Sequence, residues 1–269
     1  MVLAGAFVWA ERRAQSPVIP MSLFADRNFA VTTVAALAIG VAMFGAIGYM
    51  PTYIQMVTGV DATHSGLLMI PMMGGLLVAS VISGQAVTRT GRYKAFPIAG
   101  AVVIGIGLAL LSTMTVTTPN WLMCPYLAIL GIGIGLSLQI LTLIVQNSFP
   151  GAIVGTATAA SNYFRQVGAT LGSAVVGSVF ASRLMSILAE KLAGTGAVQG
   201  GDKGRNHLTP AAVNALPDAV RTPIVEAYNE ALLPIFLFLV PLAVVAFAVL
   251  CFIDPKELAT STRTEAVEP

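Results

Sequence analysis

The stretch "NYFRQVGATLGSAVVGSVF", Asn162 to Phe180, is apolar and rich in glycine, yet it carries an arginine. A guanidinium keeps its charge at any biological pH and offers a fork of five N–H donors. Its chemistry is therefore binding, gating or ion pairing rather than proton transfer. If the stretch is helical, each residue advances about 100°. Thr158, Ser161, Asn162, Gly168, Ala169, Gly172 and Val176 then fall within about 60° of Arg165, whereas Phe164, Val167 and Leu171 point away. One stripe is small and polar and the other is large and apolar. Arg165, flanked by Asn162 and Gln166, is the main candidate for a substrate-path or gating residue. The competing reading is an arginine that snorkels to the cytoplasmic surface. Gln139 and Gln146, further up the chain, are candidate cavity polars of the same kind.

The elements that must position these residues follow from composition. Of 269 residues, 56% are hydrophobic and 10% charged, with mean hydropathy +0.84. Soluble domains carry about 25% charged residues, so this chain cannot wet an ordinary surface. No Asp, Glu, Lys or Arg occurs between Ala95 and Phe164. A helical crossing of the hydrocarbon needs about 20 apolar residues, and continuous rather than alternating apolar runs indicate helices. Six spans are expected, at Ala30–Ile54, Gly66–Thr88, Phe96–Thr115, Leu122–Val145, Val154–Ser182 and Leu232–Ile253. Short breaks containing Gly, Pro, Asn or Thr separate most of them.

Residues 1–10 read as the stump of a preceding span, because Val2–Trp9 is apolar but too short to cross. Residues 11–28 form a loop with Arg12, Arg13 and Arg27, and a second basic loop holds Arg89, Arg92 and Lys94. Lys and Arg in short loops mark the cytoplasmic side. Residues 29–182 then hold the first five spans and 183–231 a long extracytoplasmic loop. Span six covers 232–253, and 254–269 is a cytoplasmic tail. Within the long loop, Thr209–Pro210 and Thr222–Pro223 each resemble a helix start, predicting short helices near 209–216 and 222–232.

Proton-coupled pumps commonly use membrane-embedded Asp, Glu or His. None of the six expected spans contains a carboxylate, so an ionic partner for Arg165 is expected in a loop or outside the chain. The run "GIGIGL", Gly131 to Leu136, follows no strand and lacks a phosphate-binding lysine, so it reads as close helix packing. Pro71 with Gly74 and Gly75 is a candidate hinge. Both histidines lie in loops and no nucleophile or metal-ligand pattern appears, so neither an enzyme nor a metal site is expected.

Two motifs bring a family into view. "GQAVTRTGRYK", Gly84 to Lys94, resembles the loop signature G-x-x-x-D-R-x-G-R-[RK] of the major facilitator superfamily. Gly84, Arg89, Gly91 and Arg92 match, Thr88 replaces the Asp, and Lys94 falls one residue late. "VGATLGSAVVGSV", Val167 to Val179, resembles the glycine motif L-G-x-x-x-G-x-A-V-x-G-x-L of the fourteen-span drug/proton antiporters through Gly168, Gly172, Ala174, Val175 and Gly177. The resemblance implies an all-α membrane protein, a six-transmembrane-helix bundle corresponding to the C-terminal half of a major facilitator fold. It implies a proton-coupled multidrug or small-molecule efflux antiporter that alternates access with a missing N-terminal six-helix half. The implied partners are membrane lipid, a small lipophilic substrate and that half, with no nucleic acid. The proton gradient replaces any cofactor. The implied location is a bacterial inner cell membrane with the C-terminus cytoplasmic. The alternative is a free-standing six-helix scaffold or regulator without transport activity.

Overall fold

The computed structural model describes residues 20–192 and 209–254; the expected stump, Arg12, Arg13 and the tail beyond Asp254 lie outside them. All regular structure in the described residues is helical. After a 3₁₀ turn at Met21–Ala25 come α1 (Arg27–Ile47), α2 (Met50–Thr58), α3 (Ala62–Leu68), α4 (Ile70–Thr90), α5 (Ala95–Ser112), α6 (Asn120–Ser148), α7 (Gly151–Leu192), α8 (Pro210–Asn214) and α9 (Asp218–Cys251). Among the described residues, six stretches are long and apolar enough to cross a membrane. α1 with α2 forms the first, α3 with α4 the second, and α5, α6, α7 and α9 the rest.

Local chemistry sets the breaks. Asp26 caps α1 by accepting the Phe29 N–H at 3.0 Å. Asp61 caps α3 by accepting the His64 N–H at 2.9 Å, a bond that holds the Asp61 carboxyl below the ordinary carboxylate range. That cap is in place at neutral pH and is lost only in acid, as pH falls through the lowered value. Gly59 and Gly91 end α2 and α4 with φ of 73° and 68°, the left-handed conformation that costs glycine least. Pro71 sits in the first turn of α4, where its missing N–H breaks no helical bond. Gly75 presses on α6 at the Ala128 carbonyl, and Gly74 faces open space.

Close glycine contacts fix the packing. A Cβ at Gly168 would fall on the Leu37 carbonyl, and one at Gly172 on the Val41 carbonyl. Gly40 lies in turn against the carbonyl of Arg165. α1 and α7 therefore touch backbone to backbone, the close approach that small residues permit in lipid. The Gly131–Gly135 run serves two neighbours. Gly131 and Gly135 take the Met72 and Leu76 carbonyls of α4, and Gly133 takes Ile104 of α5. α6 thus stands between α4 and α5, α5 packs on α9, and α9 packs on α1 and α7.

The ends are also tied. The Asn28 amide donates to the Asp254 carbonyl at 2.9 Å and accepts the Asp254 N–H at 2.9 Å. Arg27 pairs with the Asp254 carboxylate at 3.1 Å. A separate cluster joins Leu23, Phe29, Val145, Ala157 and Ala160, with Phe24, Phe149 and Phe164 packed around it.

The region expected as a long loop is helical at both margins. α7 continues past Ser182 to Leu192, and α9 begins at Asp218 rather than near Leu232. The polar residues that mark the expected span ends pair with each other. Lys191 reaches Glu226 at 3.1 Å and Glu230 at 2.7 Å. The start expected at Thr209 occurs, with Thr209 capping α8. The start expected at Thr222 does not, and Pro223 lies inside α9. A proline there removes one intrahelical bond, but buried Ile224 and Val225 hold the turn in place.

Gly172→Val forces a side chain into the α1 backbone, and overpacking of this kind costs about 1–3 kcal/mol. We expect a lower thermal midpoint in detergent. Gly84→Ala, where nothing lies within 4 Å, should leave the midpoint unchanged.

Candidate functional site

Of the most apolar stretch of each span, 61% is buried in the first but only 22% in the second and 28% in the fifth. α4 and α7 are thus the spans least covered by this chain. α4 exposes Ile70, Met73, Leu77, Val78, Val81 and Ile82. On α7 the uncovered surface divides. Leu171 and Val175 expose large apolar side chains, while Gln166, Thr170 and Ser173 expose polar ones. At about 100° per residue, Asn162, Gln166, Thr170, Ser173 and Gly177 form a single stripe.

That stripe begins at a cavity of about 580 Å³ lined by Gln146, Val154, Gly155, Thr158, Ala159 and Asn162. α6 supplies Gln146 at its end and α7 the other five at its start. The cavity therefore lies where the two helices diverge. Gln139 is exposed two turns before Gln146 on the same face of α6, as a spacing of seven residues requires.

Arg165 does not line this cavity. Its backbone is pinned under Gly40, and its side chain is half-buried. The Nη2 donates to Asn162 Oδ1 at 3.1 Å, so the charge reaches the cavity wall through Asn162. Side chains on a helix tilt toward its N-terminus, which is why the partner lies one turn earlier. Among the described residues no carboxylate lies within ion-pair distance of Arg165. A guanidinium within an apolar span, with one neutral partner, retains unused donors for an anionic or carbonyl group.

The small stripe expected around Arg165 is split between two environments. Gly168, Ala169 and Gly172 are buried, the two glycines against α1, while Thr158 and Asn162 face the cavity. Gly177 is half-buried below the Tyr49 hydroxyl. In the basic turn, Gly91 provides the left-handed residue, Arg89 and Arg92 are exposed, and Gly84 lies on the open side of α4. Sequence reasoning missed Tyr49. This residue sits at the α1–α2 break, and its hydroxyl donates to the Ser173 carbonyl at 3.2 Å on the polar stripe of α7. The signal was present in "GYMP", Gly48 to Pro51, a glycine and a proline around a tyrosine within an apolar run.

These features define a polytopic helical membrane protein whose bundle leaves one polar, cavity-bearing side uncovered. Residues 4–173 match the Major Facilitator Superfamily, and the chain belongs to that family. It is 42% identical over 246 residues to an uncharacterized MFS-type transporter of Mycobacterium tuberculosis, covering 91% of this chain and 35% of that protein. It is 36% identical over 187 residues to the multidrug transporter protein MdtP of Bacillus subtilis, covering 70% of this chain and 34% of that one. Among solved structures it is similar in fold to a bacterial homolog to the human lysosomal transporter Spinster, in an inward-facing and unoccupied conformation. That likeness has a TM-score of 0.62 and 13% identity, and covers 89% of this chain and 52% of the other. The chain thus spans about a third of the length of these two curated relatives.

If the Gln166 stripe borders water, single cysteines at Gln166 and Thr170 in the complete protein should react with a membrane-impermeant maleimide. Cysteines at Leu171 and Val175 should react only with a lipid-soluble reagent. Equal reactivity at all four positions would remove the distinction between the two faces.

Proposed function

We propose that this chain is the C-terminal six-helix half of a fourteen-span efflux transporter. It expels small lipophilic compounds across the cell membrane by alternating access with an N-terminal half. The observation that carries this reading is the surface of α7, one of the two least covered spans, which exposes a polar stripe leading from a cavity. Transporters of this architecture hold substrate at the interface of two repeats and rock one against the other. A single bundle has the wall of such a path but not its opposite side.

The similarity to a multidrug transporter protein supports small compounds of more than one kind as the cargo; efflux as the direction and lipophilic character are our proposal. A half-chain alignment to the solved transporter supports the division into halves. The proton gradient is the proposed energy source. The carboxylates among the described residues lie at helix ends and connections, as Asp26, Asp61 and Asp254 do, or on the outer extensions of α7 and α9, as Glu190, Glu226 and Glu230 do. Proton handling is therefore assigned to the N-terminal half. Arg165 and Asn162 contribute a fixed positive potential and a hydrogen-bonding wall, with Gln139, Gln146 and Gln166 as further polar contacts. The basic end, with Arg27, Arg89 and Arg92, is placed in the cytoplasm by the positive-inside rule.

In the complete protein, Arg165→Ala should abolish resistance to an exported compound while the protein still reaches the membrane at normal abundance. Arg165→Lys should restore it only partly, because an ammonium lacks the planar fork. Unchanged resistance in Arg165→Ala at equal abundance would remove Arg165 from the mechanism.

A further inference from the structure

The cavity between α6 and α7 has a fixed hydrogen-bond polarity. Arg165 carries donors and no acceptor, so the atom of Asn162 that meets its Nη2 at 3.1 Å must be the amide oxygen. That bond settles the orientation of the amide. It leaves the N–H donors of Asn162 for the cavity that this residue lines. Arg165 itself has donors beyond the one that Asn162 takes. Both groups are therefore set to donate.

The remaining lining does not oppose this bias. Among the described residues, the side chains of Gln146 and Thr158 have no hydrogen-bond partner, and either group donates or accepts as a ligand requires. Val154, Gly155 and Ala159 complete the wall and carry no charge. Asp26 lies at the same end of the bundle, where Phe24 meets Phe164 edge-on at 5.7 Å, but its carboxylate is engaged as the cap of α1. The guanidinium charge therefore stands one hydrogen bond from the cavity with no carboxylate at ion-pair distance among the described residues. A lipophilic cation placed here meets like charge and groups oriented to donate. An anion meets charge-assisted donors, which are about twice as strong as neutral ones. The volume of about 580 Å³ is in the range of small-molecule sites.

We propose that this cavity selects amphiphiles carrying an anionic oxygen, a carboxylate or phenolate, on an apolar body, and turns away lipophilic cations. The oxygen takes the Asn162 N–H groups and a free Arg165 donor, and the apolar body lies along Val154 and Ala159. That the selected compound is cargo rests on the transporter reading. The binding preference needs no transport, and the two are read separately below.

The probes are fluorescein, which carries a carboxylate and a phenolate, and rhodamine 6G, a cation on the same xanthene ring system. Binding to the complete protein in nanodiscs of zwitterionic lipid is followed by fluorescence anisotropy. The parent should bind fluorescein at least about tenfold more tightly than rhodamine 6G, the scale of one hydrogen bond to a charged group. Arg165→Gln should remove that preference. Asn162→Asp keeps the arginine but sets a carboxylate beside it, and should remove or reverse the preference. In both variants rhodamine 6G should bind as in the parent or more tightly, which a misfolded protein would not do. Equal binding of the two dyes by the parent, tighter binding of rhodamine 6G, or binding of neither overturns the proposal. So does a preference for fluorescein that survives both substitutions. Extrusion of each dye from cells expressing the parent is measured alongside. Selective binding of fluorescein without extrusion refutes the transporter reading and leaves the selectivity standing. Extrusion of rhodamine 6G alone keeps the transporter reading and overturns the selectivity.

Discussion

Helices in lipid gain little from burying apolar surface, because lipid tails are as apolar as leucine. What binds them is close approach, and the one on which the site depends is α1 on α7. Gly168 and Gly172 sit under the carbonyls of Leu37 and Val41, and Gly40 sits under that of Arg165. The rest of the site depends on this seam. It fixes the rotation of α7, which divides its uncovered surface into a polar stripe of Gln166, Thr170 and Ser173 and an apolar face of Leu171 and Val175. It also fixes Arg165 at the edge of the seam, where its side chain reaches Asn162 rather than open space. The arginine is tolerable in an apolar span because its backbone is held by packing and its charge is led to a polar wall.

The six spans were legible because their signal is additive. Long runs without charge can only be helices in lipid, and no tertiary detail changes that. The glycines of "GIGIGL" were legible as packing residues. Their division between α4 and α5 was not, because spacing identifies a face but not the neighbour it meets. The same limit applied to Arg165. A helical projection gathered Gly172 and Asn162 onto one stripe, whereas α1 occupies part of that stripe and leaves the remainder to the cavity.

The extensions of α7 and α9 beyond their apolar runs were misjudged for a different reason. Arg183 and Lys191 mark where lipid should end, but a helix can continue in water when it has a partner. Lys191 between Glu226 and Glu230 provides one, joining α7 to an α9 that starts well before its apolar run. Such pairing is non-local and leaves no periodic trace. Tyr49 went unread because its significance lies in a contact with Ser173, far along the chain.

Charge and coverage together shape the functional account. The uncovered surface includes the apolar face of α4 and, on α7, a polar stripe that begins at a cavity between α6 and α7. The apolar face of α4 is stable against lipid or against another bundle, but the polar stripe of α7 is stable only against water or protein. The central claim is that a second six-helix bundle covers the polar stripe and cavity of α7. Mass analysis of the protein extracted from native membranes tests it most directly. The account predicts a single species of roughly twice the 27.9 kDa of this chain or more, or this chain bound to a second helical bundle. A 27.9 kDa species with no second bundle, and with α4 and the Gln166 stripe of α7 both open to a lipid-soluble photolabel, would contradict it.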